Sequence, residues 1–148
     1  MVSPADIARE YVENWNRRDW KAYRELLDDQ YTYTGGDGQT QRGPEAGMAV
    51  GQMFATAFPD GRIDLRQIHT AGDTAVVEFT GHGTHSGELM GIAPTGRRIS
   101  IPVITVLTES DADAPRTCSA TTMINSASAA FNAAALAFRQ PNPDLSLI

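Results

Sequence analysis

Apolar residues recur at helical spacing through most of the first 58 positions and then at a period of two from residue 62 onward. A chain that changes period once in this way buries its helices by laying them on the sheet that follows. Ser3-Pro4-Ala5-Asp6 supplies a cap hydroxyl, a proline at the first helical position and an acid three residues after the cap. Ile7, Ala8, Tyr11, Val12 and Trp15 then predict a helix to about Arg17 with one apolar face. Asp19 predicts the cap of a second helix, in which Trp20, Tyr23, Leu26 and Leu27 form the buried stripe. Tyr31 and Tyr33 alternate with Thr32 and Thr34 in a short strand, and Gly35-Gly36-Asp37-Gly38 forces a turn. Pro44 opens a third helix with Ala46, Val50, Phe54, Ala57 and Phe58 along one side, and Pro59-Asp60-Gly61 stops it.

Strands follow. Arg62 to Thr70 and Thr74 to Thr80 flank the tight turn Ala71-Gly72-Asp73 and should pair as a hairpin. Arg97 to Thr108, dense in Ile, Val and Thr, reads as a long buried strand in which Pro102 removes a ladder donor and suggests a bulge or an edge contact. The fold class expected is α+β, with three N-terminal helices packed on a curved antiparallel or mixed sheet. Beyond an acidic, turn-rich stretch from Glu109 to Pro115, Arg116 to Ile124 reads as a further strand. Asn125 to Gln140 is rich in Ala and Ser, with high helix propensity but little packing surface, and Pro141 to Ile148 reads as a frayed tail.

A chain of 148 residues, 41% of them hydrophobic, has the size of one domain. Its net charge of −6, with scattered Lys and Arg, argues against a grip on nucleic acid or anionic lipid, which needs clustered positive charge. The one cysteine, Cys118, cannot form an internal disulfide, and the N-terminus enters an amphipathic pattern without a secretory apolar stretch, so a cytoplasmic, reduced protein is expected. No apolar run approaches membrane-spanning length.

The run from Gly83 to Arg98 concentrates chemistry where one strand hands over to the next: a histidine, a carboxylate and four glycines. If Val77 and Phe79 face a cavity, the period of two also sends Gly81, Gly83 and His85 inward. An imidazole there can hydrogen-bond a carbonyl or enolate oxygen and exchange a proton. The plain alternative is a histidine satisfying backbone groups in a loop. His82 has the opposite parity and should face solvent or a partner subunit. Glu88 is a base if its loop folds over the cavity and a solvated charge otherwise. Trp15, Tyr33, Phe54, Phe58 and Phe79 can wall an apolar pocket, with Met48, Met53 and Met90 as adaptable surface, or simply fill the core. Trp15 and Tyr33 are the stronger pocket candidates, since their polar tips need partners when buried. The histidines and the cysteine lack metal-ligand spacing, and there is no phosphate-cradling or dinucleotide glycine motif, so neither metal nor cofactor is expected.

Taken in order, Tyr11 to Trp15 with Asn16, Arg42-Gly43-Pro44-Glu45, Phe58-Pro59-Asp60, Ala71-Gly72-Asp73 and the run from Gly83 to Arg98 resemble the SnoaL-like polyketide and ester cyclases of the NTF2-like superfamily. The resemblance implies a cone-shaped α+β fold over residues 1–140 enclosing a pocket, with residues 109–140 atypical for the family. It implies cofactor-independent ring closure of a polyketide ester by intramolecular aldol condensation, an apolar polycyclic or polyketide-type ligand, and a homodimer. His85 would polarise an oxygen, and Trp15 and Tyr33 would position the substrate. In that family the last strand usually ends in an aromatic residue and then an aspartate that serves as general acid and base. Here no acid lies between Asp113 and Asp144, and Asn125 can orient a substrate but cannot shuttle a proton. Whether the chain is an enzyme is therefore open. The alternatives are a non-catalytic small-molecule-binding or dimerisation module of the same fold, and epoxide hydrolase or keto-isomerase chemistry, which normally needs a buried carboxylate.

Overall fold

The computed structural model describes residues 3–34, 39–109 and 118–124. Helix α1 (Pro4–Arg17) starts with a reciprocal cap, in which the Asp6 amide donates to the Ser3 hydroxyl and the Ser3 amide donates to the Asp6 carboxylate. Its buried face is Ile7, Ala8, Tyr11, Val12 and Trp15, and it ends at Arg18 in the left-handed conformation. In α2 (Trp20–Glu25) the Ala22 amide donates to Asp19, and Tyr23 faces inward, with Leu26 and Leu27 buried just past the end. After β1 (Thr32–Thr34) and β2 (Thr40–Arg42), α3 (Pro44–Ala57) begins on a proline. Gly47 and Gly51 let α3 close on its neighbours. A Cβ at Gly47 would stand 2.5 Å from Leu27 and 2.8 Å from Tyr31, and one at Gly51 would stand 3.0 Å from Trp20.

The remaining strands are β3 (Arg62–Ala71), β4 (Thr74–Thr84), β5 (Arg98–Glu109) and β6 (Cys118–Ile124), and the single sheet runs β2-β1-β6-β5-β4-β3. The sheet is mixed, because β1 runs parallel to β6 while every other pair is antiparallel. Ala75, Val77, Phe79 and Gly83 of β4 are buried under the helices, and their neighbours on β5 across the ladder, Leu107, Thr105 and Val103, are buried with them. Helices plus a predominantly antiparallel curved sheet place the chain in the α+β class expected.

Three details differ from the sequence expectation. Strand β2 carries no apolar period and all three of its residues are exposed; it forms because it pairs along β1, with the Thr34 and Thr40 hydroxyls 3.0 Å apart. Strand β4 runs past Thr80 to Thr84, since pairing on both sides, to Arg62 and to Arg98, overrides the weak strand propensity of Gly81 and Gly83. Pro102 makes no bulge. It lies opposite Thr80 in unbroken register with β4. The register shift occurs in β3, between Leu65 and Gln67. The expected helix over 125–140 and the tail over 141–148 lie outside the described residues.

Three polar ties hold the helices to the sheet. The Asn16 carboxamide acts as a short strand, its Nδ2 donating to the Ile63 carbonyl (2.9 Å) and its Oδ1 accepting from the Ile63 amide (2.8 Å). Arg18 donates to the Trp15 carbonyl (2.9 Å) and the Gly61 carbonyl (2.8 Å) while its guanidinium lies 4.0 Å over the Trp15 ring. The Asp60 carboxylate accepts from the Thr84 amide (2.7 Å) and hydroxyl (2.8 Å), fastening the turn after α3 to the end of β4.

Asn16→Ala removes both partners of the Ile63 peptide groups, and an expected loss of about 2 kcal/mol should show as a lower denaturant midpoint at unchanged slope. The two Thr84 hydrogen bonds hold the Asp60 carboxyl below its ordinary value of 3.8. A carboxyl depressed in the folded state contributes stability above its unfolded value, and that contribution is lost as pH falls through the folded one. As pH falls below the ordinary value of 3.8 the melting temperature of the wild type should therefore fall more steeply than that of Asp60→Asn; parallel curves would remove Asp60 from the acid response.

Candidate functional site

Helices and sheet leave an apolar pocket between them, open at its mouth. Tyr11 and Trp15 of α1, Tyr23 of α2, Tyr31 and Tyr33 at β1, and Phe54 and Phe58 at the end of α3 form the helical side. Ile63, Phe79, Ile99, Ile101 and Val103 form the sheet side. All four tyrosines of the chain line this one space. The aromatic wall is preset by its own packing: Tyr11 and Tyr23 stand 5.0 Å apart, and Trp20 meets Trp15 and Tyr23 edge-on at 6.4 Å and 6.0 Å.

Of the residues expected to bind substrate, Trp15, Tyr33, Phe54, Phe58 and Phe79 are brought together in this lining. Met90 is not among them. It is 66% exposed at the tip of the turn joining Leu89 to Ile92, where left-handed Met90 (φ 48°) and Gly91 (φ 81°) throw the side chain outward. Glu88 is exposed and outside the lining. Asn125 lies outside the described residues. Tyr11, Tyr23 and Tyr31 read in the sequence as core stripe. The signal that singles them out is tyrosine where phenylalanine would pack equally well, since a buried phenol needs a partner that a benzyl ring does not.

His85 sits elsewhere than the lining. Its ring is entirely buried and packs against Phe58, the ring centroids 5.6 Å apart. The loop it opens is held at its neck, His85 N donating to the Arg97 carbonyl and Gly96 N to the His85 carbonyl, each at 2.8 Å. The same loop is strapped to the end of α3 by donation from the Ser86 and Gly87 amides to the Ala57 carbonyl. Only glycine fits at position 87, where a Cβ would stand 2.1 Å from the Thr56 carbonyl oxygen. The Thr95 amide donates to His85 Nδ1 at 3.3 Å, and the Thr95 hydroxyl lies 3.0 Å from the same atom. Nε2 is buried with no hydrogen-bond partner among the described residues, a state that costs about 1–3 kcal/mol.

Arg62 and His82 are opposed across the ladder at the pocket rim and contribute to its lining. His82 Nε2 lies 2.6 Å from Asp64 Oδ2, and Arg62 Nε is 3.9 Å from Asp64 Oδ1. By strand parity these three side chains belong to the face opposite Ile63, Phe79 and Gly81. The expectation that His82 faces away from the cavity thus meets a ring that is 34% exposed and paired with a carboxylate. Among the described residues no group of three or more His, Cys, Asp or Glu side chains could hold a metal ion, and no helix is long and apolar enough to cross a membrane.

The model of the SnoaL-like polyketide cyclase family matches residues 5–113. Among solved structures, the chain is similar to AclR from Streptomyces galilaeus, with 22% identity over 96% of this chain and 87% of that one and a TM-score of 0.73. It is similar to IdmH from Streptomyces antibioticus, with 23% identity over 88% and 98% and a TM-score of 0.70. A SnoaL-like polyketide cyclase from Agrobacterium tumefaciens aligns at 13% identity over 90% and 99%, with a TM-score of 0.68. At these identities the structures establish the fold. No curated relative matches the sequence.

Proposed function

The chain belongs to the SnoaL-like polyketide cyclase family, and we propose that it closes a ring in a polyketide ester by cofactor-independent intramolecular aldol condensation. The observation that carries this reading is the pocket, apolar over most of its wall and edged by four phenols. A flexible poly-ketone folded into such a space is held in few conformers, which raises the effective concentration of the attacking carbon beside the ketone it attacks. A carbon flanked by two carbonyls loses its proton to solvent at the open mouth of the pocket and becomes an enolate, the carbon–carbon bond forms, and solvent returns a proton to the resulting alkoxide. Phenol O–H groups aimed at the enolate oxygen stabilise charge as it develops. Tyr33 and Trp15 position the substrate from opposite elements, β1 and α1. No carboxylate lines the pocket among the described residues, so the reading rests on confinement of the substrate.

That same lining favours a second reading, a non-catalytic binding module for an apolar polycyclic ligand. Epoxide hydrolase or keto-isomerase chemistry would call for a carboxylate that the described lining does not supply. Turnover separates these. On a panel of anthraquinone-type polyketide esters, ring closure should be detectable and Tyr33→Phe should lower kcat at least about tenfold with the melting temperature preserved. Binding without turnover across the panel would support the module instead.

The convex face of the sheet carries Ile104, 44% exposed, beside exposed Pro102 and half-buried Val76 and Val106. Apolar surface of this kind, on the face away from the pocket, supports self-association as a homodimer. Light scattering should report twice the monomer mass, and a monomer across a broad concentration range would overturn the expectation.

A further inference from the structure

The imidazole of His85 holds an unused donor, and the geometry fixes which nitrogen carries it. A backbone amide can only donate, so the bond from Thr95 N makes Nδ1 an acceptor. The Thr95 hydroxyl oxygen takes the Arg97 amide at 3.4 Å, which leaves its own hydrogen free to point at Nδ1 as well. With Nδ1 receiving, the ring proton resides on Nε2, and that N–H is buried without a partner among the described residues. Its nearest aromatic neighbour is Phe58, which also lines the pocket. Phe54 and Ile99 likewise belong both to the pocket wall and to the small cluster of Ala57, Phe58 and Leu89 beside the histidine. Phe58 is thus shared by the pocket wall and by the packing around His85.

We infer that His85 Nε2–H is the hydrogen-bond donor for a ligand oxygen, a ketone or enolate oxygen on a ring held in the aromatic pocket, reached when Phe58 turns aside. This rests on the ring-binding reading of the pocket given above. The donor selects by chemistry. Nε2–H has no lone pair to offer, so it takes acceptors such as ketones, quinones and enolates and gives nothing to a hydroxyl or ammonium hydrogen. In water-excluded surroundings its attraction grows as negative charge develops on the oxygen, which suits an enolate better than the parent ketone. The lock on Nδ1 explains why the tautomer holds: Thr95, fixed in the loop that His85 itself closes, keeps the proton on the far side of the ring.

Two probes of nearly equal shape test this, 9-fluorenone and fluorene, which differ by one carbonyl oxygen; binding is read from quenching of tryptophan fluorescence, since Trp15 lines the pocket. The wild type should bind 9-fluorenone about tenfold more tightly than fluorene. His85→Asn keeps an acceptor where Nδ1 stood and removes Nε2, so it should fold and bind the two probes equally. His85→Gln keeps a donor near Nε2 and loses the Thr95 contact, so it should retain part of the preference. In wild-type protein with ¹⁵N-labelled histidine, Nε2 should carry the proton, and its signal should move with 9-fluorenone and stay still with fluorene. A preference that survives in His85→Asn, a proton found on Nδ1, or an unmoved Nε2 signal at saturating 9-fluorenone overturns the inference. Equal binding of both probes by the wild type overturns it while leaving the pocket reading intact. Failure of both probes to bind overturns the pocket reading and this inference together.

Discussion

The carboxamide of Asn16 does for β3 what a neighbouring strand would do, accepting and donating at the two peptide groups of Ile63. Strand β3 is an edge of the sheet, and an edge must be paired, covered or blunted. Here the end of α1 covers it, and the adjacent Arg18 repeats the connection at Gly61 while stacking on Trp15. Because Trp15, Gly61 and Ile63 all line the pocket, this one seam sets the distance between the helical wall and the sheet wall. Shifting α1 along the sheet would close the cavity or break two backbone partners at once.

The pocket reconciles two demands that normally conflict. Its wall is buried enough to serve as the protein's core, with Tyr31 among the most enclosed side chains, yet it leaves room for a ligand. Aromatic side chains make this feasible because they are large, stiff and held by one another edge-on, so the space they bound does not collapse. The four phenols add polar tips to an otherwise apolar surface. The second, smaller cluster around Ala57, Phe58 and Leu89 seals the loop that follows β4 and shuts His85 behind it.

Much of this was legible before any coordinates. Helix caps at Ser3 and Asp19, the hairpin between β3 and β4, and the inward direction of His85 follow from local hydrogen-bonding needs and from strand parity, both of which a sequence states directly. Strand β2 was not legible, because three polar residues gain their conformation from a partner strand and carry no periodicity of their own. Of the pocket residues, Trp15 and Tyr33 were recognisable by their polar tips, while Tyr11, Tyr23 and Tyr31 merged with the core pattern. Strand parity told that His85 is buried; it could not tell that the ring packs on Phe58 outside the pocket lining, because that depends on where α3 ends relative to β4.

The sequence by itself determined the three helices, the β3–β4 hairpin, the α+β class and the family, since each is written in periodicity, capping chemistry and residue type. Tertiary structure alone decided which aromatics share one space, that Asn16 pairs with Ile63 across 47 positions of chain, and that His85 is buried against Phe58 outside the pocket lining. The physical reason is range. Local hydrogen bonds and side-chain periods act over a few residues, whereas the shape of a cavity and the partners of a buried donor are settled only when distant segments close on one another.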